Sequence, residues 1–416
     1  MRTVLRGESA SHLQRRRVVA VSHQSVKCQL QSDTARASVR IPKAEAGQKS
    51  PSGRFRCELL PAARTSHRNP NQKSLPRDSA EVQKTPLATH TPRMLLTTLV
   101  VLLAFRLFYR SWSGRCSSKR SLAGKTVIVT GGSAGIGKEA AKDFLRRKAK
   151  VILACRNLEK ARKVAEELVA ETGNPEVAVR RLDTADLASV RAFAEEFLRT
   201  EDSLHVLVNN AGIAGSRTRQ ETKDGLELTM ATNHFGHFLL TNLLLKRLQQ
   251  SAPSRVVTVS SAAHKMVRNL NPRDLNLTSS YGSMKAYGLS KLCNILFATE
   301  LAERLKETGV TSNSLHPGAV ATEFFLKDDP SRGWVMTLAG RILNFLVTLA
   351  GKDCELGAQT TIHLAVSEEL DRVSGKYFED CKEATPTRIA RDRAVAKSVW
   401  EVSEALVNLR PSEVNY

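Results

Sequence analysis

Aromatic side chains are scarce in this chain of 416 residues, since Phe, Trp and Tyr together make up only 5% of it. The formal charge is +22, but residues 1–93, which hold 18 Lys and Arg against 6 Asp and Glu, carry +12 of that charge. A nucleic-acid surface needs a clustered basic stripe, usually with interleaved aromatic rings. We therefore expect no nucleic-acid partner and interpret the remaining +10 as a basic, solvated face.

Cysteine is sparse as well. The seven cysteines include no C-x-x-C pair, and the sequence shows no zinc-ligand spacing. An odd number without a regular framework argues against a disulfide-stapled secreted fold and suits a reducing compartment. We expect no metal site.

Long hydrophobic runs are missing except at 94–112, MLLTTLVVLLAFRLFYRSW. Its uninterrupted apolar part is short against the roughly 20 residues of a full membrane span, although Arg106 can snorkel and extend it. We expect 94–112 to be a membrane anchor. A cleaved signal peptide is the alternative, but the basic residues follow the run instead of preceding it. By the positive-inside rule those residues keep the body of the protein in the cytosol: Arg110, Arg115, Lys119, Arg120 and Lys125.

The chain divides around this anchor by composition. Residues 1–93 are rich in Ser, Arg, Gln and Pro without an apolar period, which predicts a disordered basic leader. An organelle-targeting segment, or translation that starts at Met94, would explain them too. We expect a basic linker over 113–121, one catalytic domain over 122–385 and a helical C-terminal tail over 386–416.

Apolar strands and amphipathic helices alternate from residue 122 onward. The apolar runs are continuous, which is typical of strands buried on both faces of a parallel sheet. The alternation predicts an α/β fold of the Rossmann type, a single doubly wound parallel sheet with helices on both faces. Strands are predicted at 125–130, 150–155, 177–183, 205–212 and 255–261, and helices at 136–147 and 158–171.

The first strand runs into the glycine-rich turn TGGSAGIGK and then into a helix. Glycine lets the backbone approach a pyrophosphate, and the helix N-terminus supplies N–H donors and a positive dipole. The spacing is G-x-x-x-G-x-G instead of the more common G-x-G-x-x-G. We predict a dinucleotide site on this turn, formed by Gly131, Ser133, Gly135, Ile136 and Gly137.

The end of the second strand predicts the choice of dinucleotide. An NAD site places Asp or Glu there to accept from the ribose 2′-hydroxyl, whereas this chain has Cys155 and Arg156. A guanidinium in place of a carboxylate fits a 2′-phosphate, which predicts NADP(H) as the cofactor. The alternative is that Arg156 only covers a surface turn.

Two Y-x-x-x-K pairs lie close together, Tyr281 with Lys285 and Tyr287 with Lys291. On a helix, positions i and i+4 share a face, so the ammonium can stabilise a phenolate and lower the tyrosine pKa for proton transfer. Tyr281 lies in the polar stretch SSYGSMK, ahead of the long apolar helix. We therefore predict that Tyr287 and Lys291 are the catalytic pair and that Tyr281 is a loop residue.

The ordered motifs resemble those of the short-chain dehydrogenase/reductase family over about residues 120–385. They are TGGSAGIG, NNAG, TNHFGHF, VSS, YGLSK and HPGAVAT. The stretches ILACRN, GHFLLTNLLL, VSSAAH and GKYFEDCKEA resemble the retinol dehydrogenase branch in particular. That branch contains membrane-bound, NADP-dependent enzymes with cytosolic catalytic domains. The resemblance implies an endoplasmic reticulum location, with a mitochondrial membrane as the alternative.

The resemblance also implies residue roles. Ser261 would hydrogen-bond the substrate oxygen, Tyr287 would exchange the proton, and Lys291 would hold the nicotinamide ribose. Asn233 would position a water that links Lys291 to solvent. Asp183 would accept from the adenine amine, although it could simply cap the next helix. The remaining cofactor contacts implied are Asn209, Ala211 and Gly212 near the adenosine ribose, and Pro317, Gly318, Val320 and Thr322 at the nicotinamide carboxamide.

The leading hypothesis is an NADP(H)-dependent oxidoreductase that interconverts a lipophilic alcohol and its carbonyl compound, retinol and retinal first. A general reductase of lipid-derived aldehydes, steroids or quinones is the alternative, and a non-catalytic, dinucleotide-sensing membrane scaffold is the third hypothesis. The insert 264–284 is expected to rim the active site. The apolar stretch 324–350 is expected to form a lid or membrane-dipping surface, or to pack in the core. The sequence leaves a homo-oligomer open.

Overall fold

Short, apolar strands form a parallel sheet in the centre of the chain. A computed structural model describes residues 91–320 and 351–416. Within them one eight-stranded sheet has the order β3-β2-β1-β4-β5-β6-β7-β8, in which only β8 is antiparallel to its neighbour. The strands are β1 (Thr126–Thr130), β2 (Lys150–Cys155), β3 (Val177–Arg181), β4 (Val206–Asn209), β5 (Ser254–Val259), β6 (Val310–His316), β7 (Tyr377–Glu379) and β8 (Lys382–Ala384).

Helices cover both faces of the sheet, so the predicted doubly wound α/β fold is confirmed. Along β1, Ile128 packs toward one layer and its neighbours Val127 and Val129 toward the other. The first layer contains α4 (Leu187–Thr200), α6 (Gly236–Gln250), α7 (Ser283–Arg304) and α9 (Arg393–Leu406), and the second contains α2 (Gly135–Arg146), α3 (Leu158–Thr172) and α8 (Cys354–Val366). A short helix, α5 (Leu228–Met230), leads into the π-helical turn Ala231–Phe235 before α6.

The strand order reverses between β1 and β4. In open α/β sheets, ligands bind outside the carboxyl ends of the strands at such a switch point. The segments that follow β1, β4, β5 and β6 meet there, and they carry the glycine turn and most of the residues expected to form the site.

Three strands end earlier than the sequence predicts. β3 ends at Arg181 instead of Asp183, β4 at Asn209 instead of Gly212, and β5 at Val259 instead of Ser261. The residues beyond these ends turn away from the sheet to form the site. The segment predicted as a C-terminal tail contains α9, whose Trp400 is buried in the same core as α7.

The apolar segment 94–112 lies within α1 (Thr91–Trp112). None of the helices in the described ranges is long and apolar enough to cross a membrane. The structure therefore does not show the predicted anchor. Residues 1–90 and 321–350 are outside the described ranges, so the predictions for the leader and for the apolar stretch 324–350 stay predictions.

Candidate active site

The glycine turn fits a dinucleotide phosphate in three respects. Gly131 has a left-handed φ of +67°, and a Cβ on Gly137 would lie 2.6 Å from both the Gly131 carbonyl oxygen and Asn210 Nδ2. Ala134 provides the N-cap of α2 without a side-chain hydrogen bond, so the first N–H groups of the helix are free of a competing cap. Backbone N–H groups at a helix N-terminus are suited to an anion. Ser133 and Ile136 lie in the same turn.

The end of β2 touches this turn. Cys155 is buried, which raises the pKa of its thiol, while hydrogen bonding with Ser133 acts in the opposite direction. Arg156 follows directly and is exposed. The structure thus brings Ser133 beside the Cys155–Arg156 step, which the sequence alone did not indicate. The side chain of Arg156 is therefore placed to contact a dinucleotide bound on the glycine turn.

Asp183 and Asn209, both predicted to contact the cofactor, each hydrogen-bond another residue of the protein. The Asp183 carboxylate accepts from the Ala185 N–H at 3.1 Å, but the N-cap of α4 is Asp186, so the alternative that Asp183 caps this helix is wrong. Asn209 is buried and its amide donates to the Thr241 hydroxyl at 3.0 Å. Its Oδ1 has no hydrogen-bond partner among the described residues.

Ser261, Tyr287 and Lys291 come together between β5 and α7. Ser261 lies two residues beyond the end of β5, and its hydroxyl hydrogen-bonds Tyr287. The Lys291 ammonium lies 5.8 Å from the centre of the Tyr287 ring and donates to the Val259 carbonyl at 3.1 Å. The three residues of the predicted triad therefore lie together, with the ammonium over the face of the tyrosine ring.

Burial shifts both titrating groups of this triad toward their neutral forms. Desolvation raises the pKa of Tyr287, and the Ser261 hydrogen bond only partly opposes it. Desolvation also lowers the pKa of Lys291 to about 8. Burial of the Tyr287 hydroxyl sets the net direction of its pKa shift, so the expectation that Lys291 lowers this pKa stays a prediction.

Asn233 lies in the π-helical turn and is fully buried. Its Oδ1 accepts from the Ile213 N–H at 2.8 Å, and its Nδ2 donates to the Ile213 carbonyl at 3.0 Å and to the Ser290 hydroxyl at 2.9 Å. A Cβ on Gly212 would lie 3.3 Å from Asn233 Oδ1 and 3.6 Å from Lys291 Nζ. Glycine at 212 thus keeps open the small space that the amide and the ammonium share.

The sequence interpretation missed three buried residues that support this arrangement. Ser290, between Tyr287 and Lys291, donates to the Tyr287 carbonyl at 2.8 Å. The Thr130 hydroxyl accepts from the N–H groups of Asn210 and Ala211 at 2.8 and 2.9 Å and contacts His237 Nε2. All three residues lie within quoted motifs, Ser290 in YGLSK, Thr130 in TGGSAGIG and His237 in TNHFGHF, but the sequence assigns none of them a contact.

The segment after β6 begins with Pro317 and Gly318, which has a φ of +91°. A Cβ on Gly318 would lie 2.9 Å from the side chain of Lys352, a buried lysine that forms an ion pair with Asp380. Val320 is buried and pairs with Lys352 through a backbone bridge. Thr322 is outside the described residues, so its predicted contact with the cofactor stays a prediction.

The two residues of the second Y-x-x-x-K pair, Tyr281 and Lys285, hydrogen-bond other residues. Tyr281 precedes α7, and its hydroxyl donates to the Ser216 carbonyl at 2.5 Å, whereas Lys285 contacts Ser280. The prediction that Tyr281 is a loop residue is confirmed. The insert around it lines a cleft of about 570 Å³, with apolar side chains from Met266, Leu270, Leu277, Met284 and Leu289.

Among the described residues, no group of three or more His, Cys, Asp or Glu side chains could hold a metal ion. The turn after β1 offers a fitting cradle for a dinucleotide.

Comparisons with known proteins identify the family of this chain. Residues 125–332 match the family described as short chain dehydrogenase. Retinol dehydrogenase 11 of Homo sapiens is 44% identical over 323 residues, which cover 76% of this chain and 98% of that protein. Retinol dehydrogenase 13 of Homo sapiens is 43% identical over 302 residues, or 72% of this chain and 90% of that protein.

A solved structure shows the same fold. The crystal structure of an uncharacterized protein from Mycobacterium paratuberculosis aligns with a TM-score of 0.56 and 33% identity, covering 71% of this chain and 98% of that one. Family members use a nicotinamide dinucleotide, which the glycine turn fits. The chain therefore belongs to the short-chain dehydrogenase/reductase family, in its retinol dehydrogenase branch, and is an oxidoreductase that acts on alcohols.

Proposed function

We propose that this protein is an NADP(H)-dependent oxidoreductase that interconverts a lipophilic alcohol and its carbonyl compound, with retinol and retinal as the first candidates. The observation that carries the proposal is the contact of Ser261 and Lys291 with Tyr287 at the carboxyl ends of the strands, where the glycine turn also lies. The retinol dehydrogenases that resemble this chain support the substrate class.

The chain's own residues would divide the work of the reaction. The nicotinamide cofactor, when bound, supplies or accepts the hydride. The Tyr287 hydroxyl donates a proton to the substrate oxygen during reduction and takes it back during oxidation. The Ser261 hydroxyl hydrogen-bonds the same oxygen, where negative charge develops. Lys291 offers a cation near the phenolate, and Asn233 holds the backbone of Ile213 beside it.

The preference for NADP(H) rests on the end of β2. No carboxylate is present at Cys155 or Arg156 to accept from a ribose hydroxyl. The exposed Arg156 guanidinium can form a bidentate, charge-assisted pair with a phosphate. Because Cys155 hydrogen-bonds Ser133, this step lies against the turn where the dinucleotide phosphates would sit.

The apolar side chains of the cleft beside the insert favour a lipophilic substrate. Met284, which lines that cleft, is the second residue of α7 and lies one helical turn before Tyr287. Residues three apart lie on neighbouring positions of one helix face, so the cleft lies near the start of the proposed catalytic motif. Steroids, quinones and lipid aldehydes have the same apolar character, which is why the test compares several of them.

A substrate panel tests the function. Purified protein with NADPH is assayed with all-trans-retinal, a medium-chain aldehyde and a ketosteroid, and kcat/KM is compared. We expect the highest value for retinal. A higher value for another carbonyl would reassign the substrate, and no turnover with any of them, despite NADPH binding, would favour the scaffold hypothesis.

We further propose that α1 attaches the protein to a membrane, with the catalytic domain on the cytosolic side of the endoplasmic reticulum. Several large apolar side chains of α1 are more than half exposed, which is energetically unfavourable in water. They are Leu96, Val100, Val101, Leu107, Phe108 and Trp112. The end of α1 is held to the domain by an ion pair between Arg110 and Asp353.

Vesicle flotation of the full chain tests this attachment. Replacing both Leu107 and Phe108 by Asp should release the protein from lipid while leaving its melting temperature unchanged, because neither side chain is buried in the fold. Protease added to intact microsomes should cleave the native protein. Flotation that is unaffected by the double substitution, or protection from protease, would contradict the proposal.

A further inference from the structure

His264 lies in the 3₁₀ turn that follows Ser261. Ser261 is the N-cap of this turn, Ala262–Met266, and its hydroxyl accepts from the Ala263 N–H at 3.2 Å. The backbone N–H of His264 donates to the Ser261 carbonyl at 3.1 Å, and its ring Nδ1 contacts the same oxygen at 2.7 Å. A carbonyl oxygen can only accept, so Nδ1 carries the proton. His264 thus makes two hydrogen bonds to the Ser261 carbonyl oxygen.

The ring of His264 is fixed from the other side by β7. His264 is 0% exposed, and its ring lies 5.3 Å from that of Tyr377 at an angle of 68°, an edge-to-face contact. The Tyr377 hydroxyl donates to the Glu379 carboxylate at 2.7 Å, and Lys265 donates to the same oxygen at 3.3 Å. The imidazole therefore has one orientation, with Nδ1 facing Ser261.

The second ring nitrogen shows that the fold does not need an imidazole for packing. His264 Nε2 is buried and has no hydrogen-bond partner in the described part of the chain. An unpaired buried polar atom destabilises the fold. A phenylalanine would fill the same space against Tyr377 without that cost. The contribution that only histidine makes here is the Nδ1 bond to the Ser261 carbonyl.

We propose that His264 is a positioning residue for Ser261: its Nδ1–H bond to the Ser261 carbonyl holds the serine hydroxyl toward Tyr287 and the substrate oxygen. The proposal rests on the proposed role of Ser261 in the reaction. His264 itself reaches neither substrate nor cofactor in this account, and it acts only through the serine backbone. Strand β7 contributes by holding the ring through Tyr377.

The test separates the hydrogen bond from the shape of the side chain. His264→Asn keeps an N–H donor at the position of Nδ1, whereas the equally sized His264→Asp has none and repels the carbonyl. For carbonyl reduction with NADPH at saturating substrates, we expect His264→Asp and His264→Phe to lower kcat by about tenfold or more, as a slight misplacement of a reacting group can do. His264→Asn should recover most of the wild-type kcat, and the directly measured Kd of NADPH should be unchanged in all three variants.

The pH profile of kcat provides a readout that loss of stability alone would not move. The Ser261 hydrogen bond lowers the Tyr287 pKa. A displaced serine should therefore shift the limb assigned to Tyr287 to higher pH in His264→Phe and His264→Asp, but not in His264→Asn. The groups that face His264 are Lys265 on its own turn, Glu379 on β7 and His316 on β6.

His363 supplies a matched control on the opposite face of β7. It is buried, its Nδ1 contacts the Ser367 hydroxyl at 2.7 Å, and its ring packs edge-on to Phe378 at 6.2 Å. His363→Phe should lower the melting temperature and leave kcat and its pH profile unchanged. Wild-type kcat in His264→Phe and His264→Asp, while Ser261→Ala is inactive, would overturn this proposal alone. A wild-type protein that reduces no carbonyl would overturn the proposed function and this proposal together.

Discussion

The side-chain amide of Asn233 donates to the Ser290 hydroxyl across 2.9 Å, which joins the π-helical turn to the helix that carries Tyr287 and Lys291. Both residues are fully buried. Ser290→Ala removes one acceptor of the amide, so we expect the free energy of unfolding to fall by about 1 kcal/mol. We also expect kcat to fall, because Asn233 and Tyr287 lose the link that the Ser290 hydroxyl makes between them.

Ser251 is the control for this change. Its hydroxyl accepts from the Leu204 N–H at 2.9 Å and donates to the Arg247 carbonyl at 2.7 Å, at the far end of α6. Ser251→Ala should cost similar stability in urea unfolding without lowering kcat. Equal kcat values in Ser290→Ala and wild type would show that the link between the two elements is only structural.

Two buried histidines predict a loss of stability in mild acid. Burial lowers the pKa of His234 to about 3 and that of His237 to about 4. In the unfolded chain both titrate near pH 6.5, so between about pH 6.5 and pH 4 the unfolded state binds more protons and stability falls as the pH falls. Each histidine contributes a slope of at most about 1.4 kcal/mol per pH unit. Urea unfolding from about pH 7 to pH 5 should therefore show a flatter slope in His237→Gln than in wild type, and identical slopes would contradict the shift.

Arg156 predicts the cofactor preference. A charge-assisted pair with a 2′-phosphate is worth about 1.5–3 kcal/mol, so wild type should bind NADPH at least about tenfold more tightly than NADH. Arg156→Ala should weaken only NADPH binding, and Cys155→Asp combined with Arg156→Ala should reverse the preference. The exposed Arg199, at the opposite end of the sheet in α4, is the control, and its replacement by Ala should change neither Kd. Equal affinity of the wild type for both cofactors would overturn the assignment.

Removing Asp380 from its ion pair with Lys352 should cost more stability than removing Lys352. The lysine side chain is 1% exposed and that of Asp380 is 48% exposed. Asp380→Asn leaves a buried, uncompensated ammonium and keeps a residue that tolerates the left-handed backbone at φ +51°, so it should cost about 3 kcal/mol of stability. Lys352→Met keeps the stem against Gly318 and leaves a carboxylate that water can solvate, so it should cost less. Urea unfolding of both variants checks the order, and the reverse order would contradict the burial argument.

The sequence predicts the sheet and the glycine turn because those features are local. Continuous apolar runs such as that of β1 and the spacing of Gly131, Gly135 and Gly137 have few other structural explanations. The two Y-x-x-x-K pairs were distinguished in the same way, since the apolar period starts only after Tyr281. The structure agrees, because α7 begins at Ser283.

The buried residues that hold the site in place could not be predicted from the sequence, because they act through long-range contacts. Thr130 and His237 are 107 positions apart, and His264 and Tyr377 are 113 apart, yet each pair is in contact. The burial that raises the Tyr287 pKa is likewise a property of the folded chain, whereas the sequence shows only the neighbouring cation.

The most direct test compares two tyrosines in one assay, the reduction of all-trans-retinal with NADPH. Tyr287→Phe should lower kcat by about 10²–10⁴-fold, the usual worth of a general acid, while the Kd of NADPH stays near the wild-type value. Tyr281→Phe should retain most of the activity, because that hydroxyl only donates to the Ser216 carbonyl. An active Tyr287→Phe, or an inactive Tyr281→Phe that still binds NADPH, would contradict the assignment of Tyr287 as the acid and base of this enzyme.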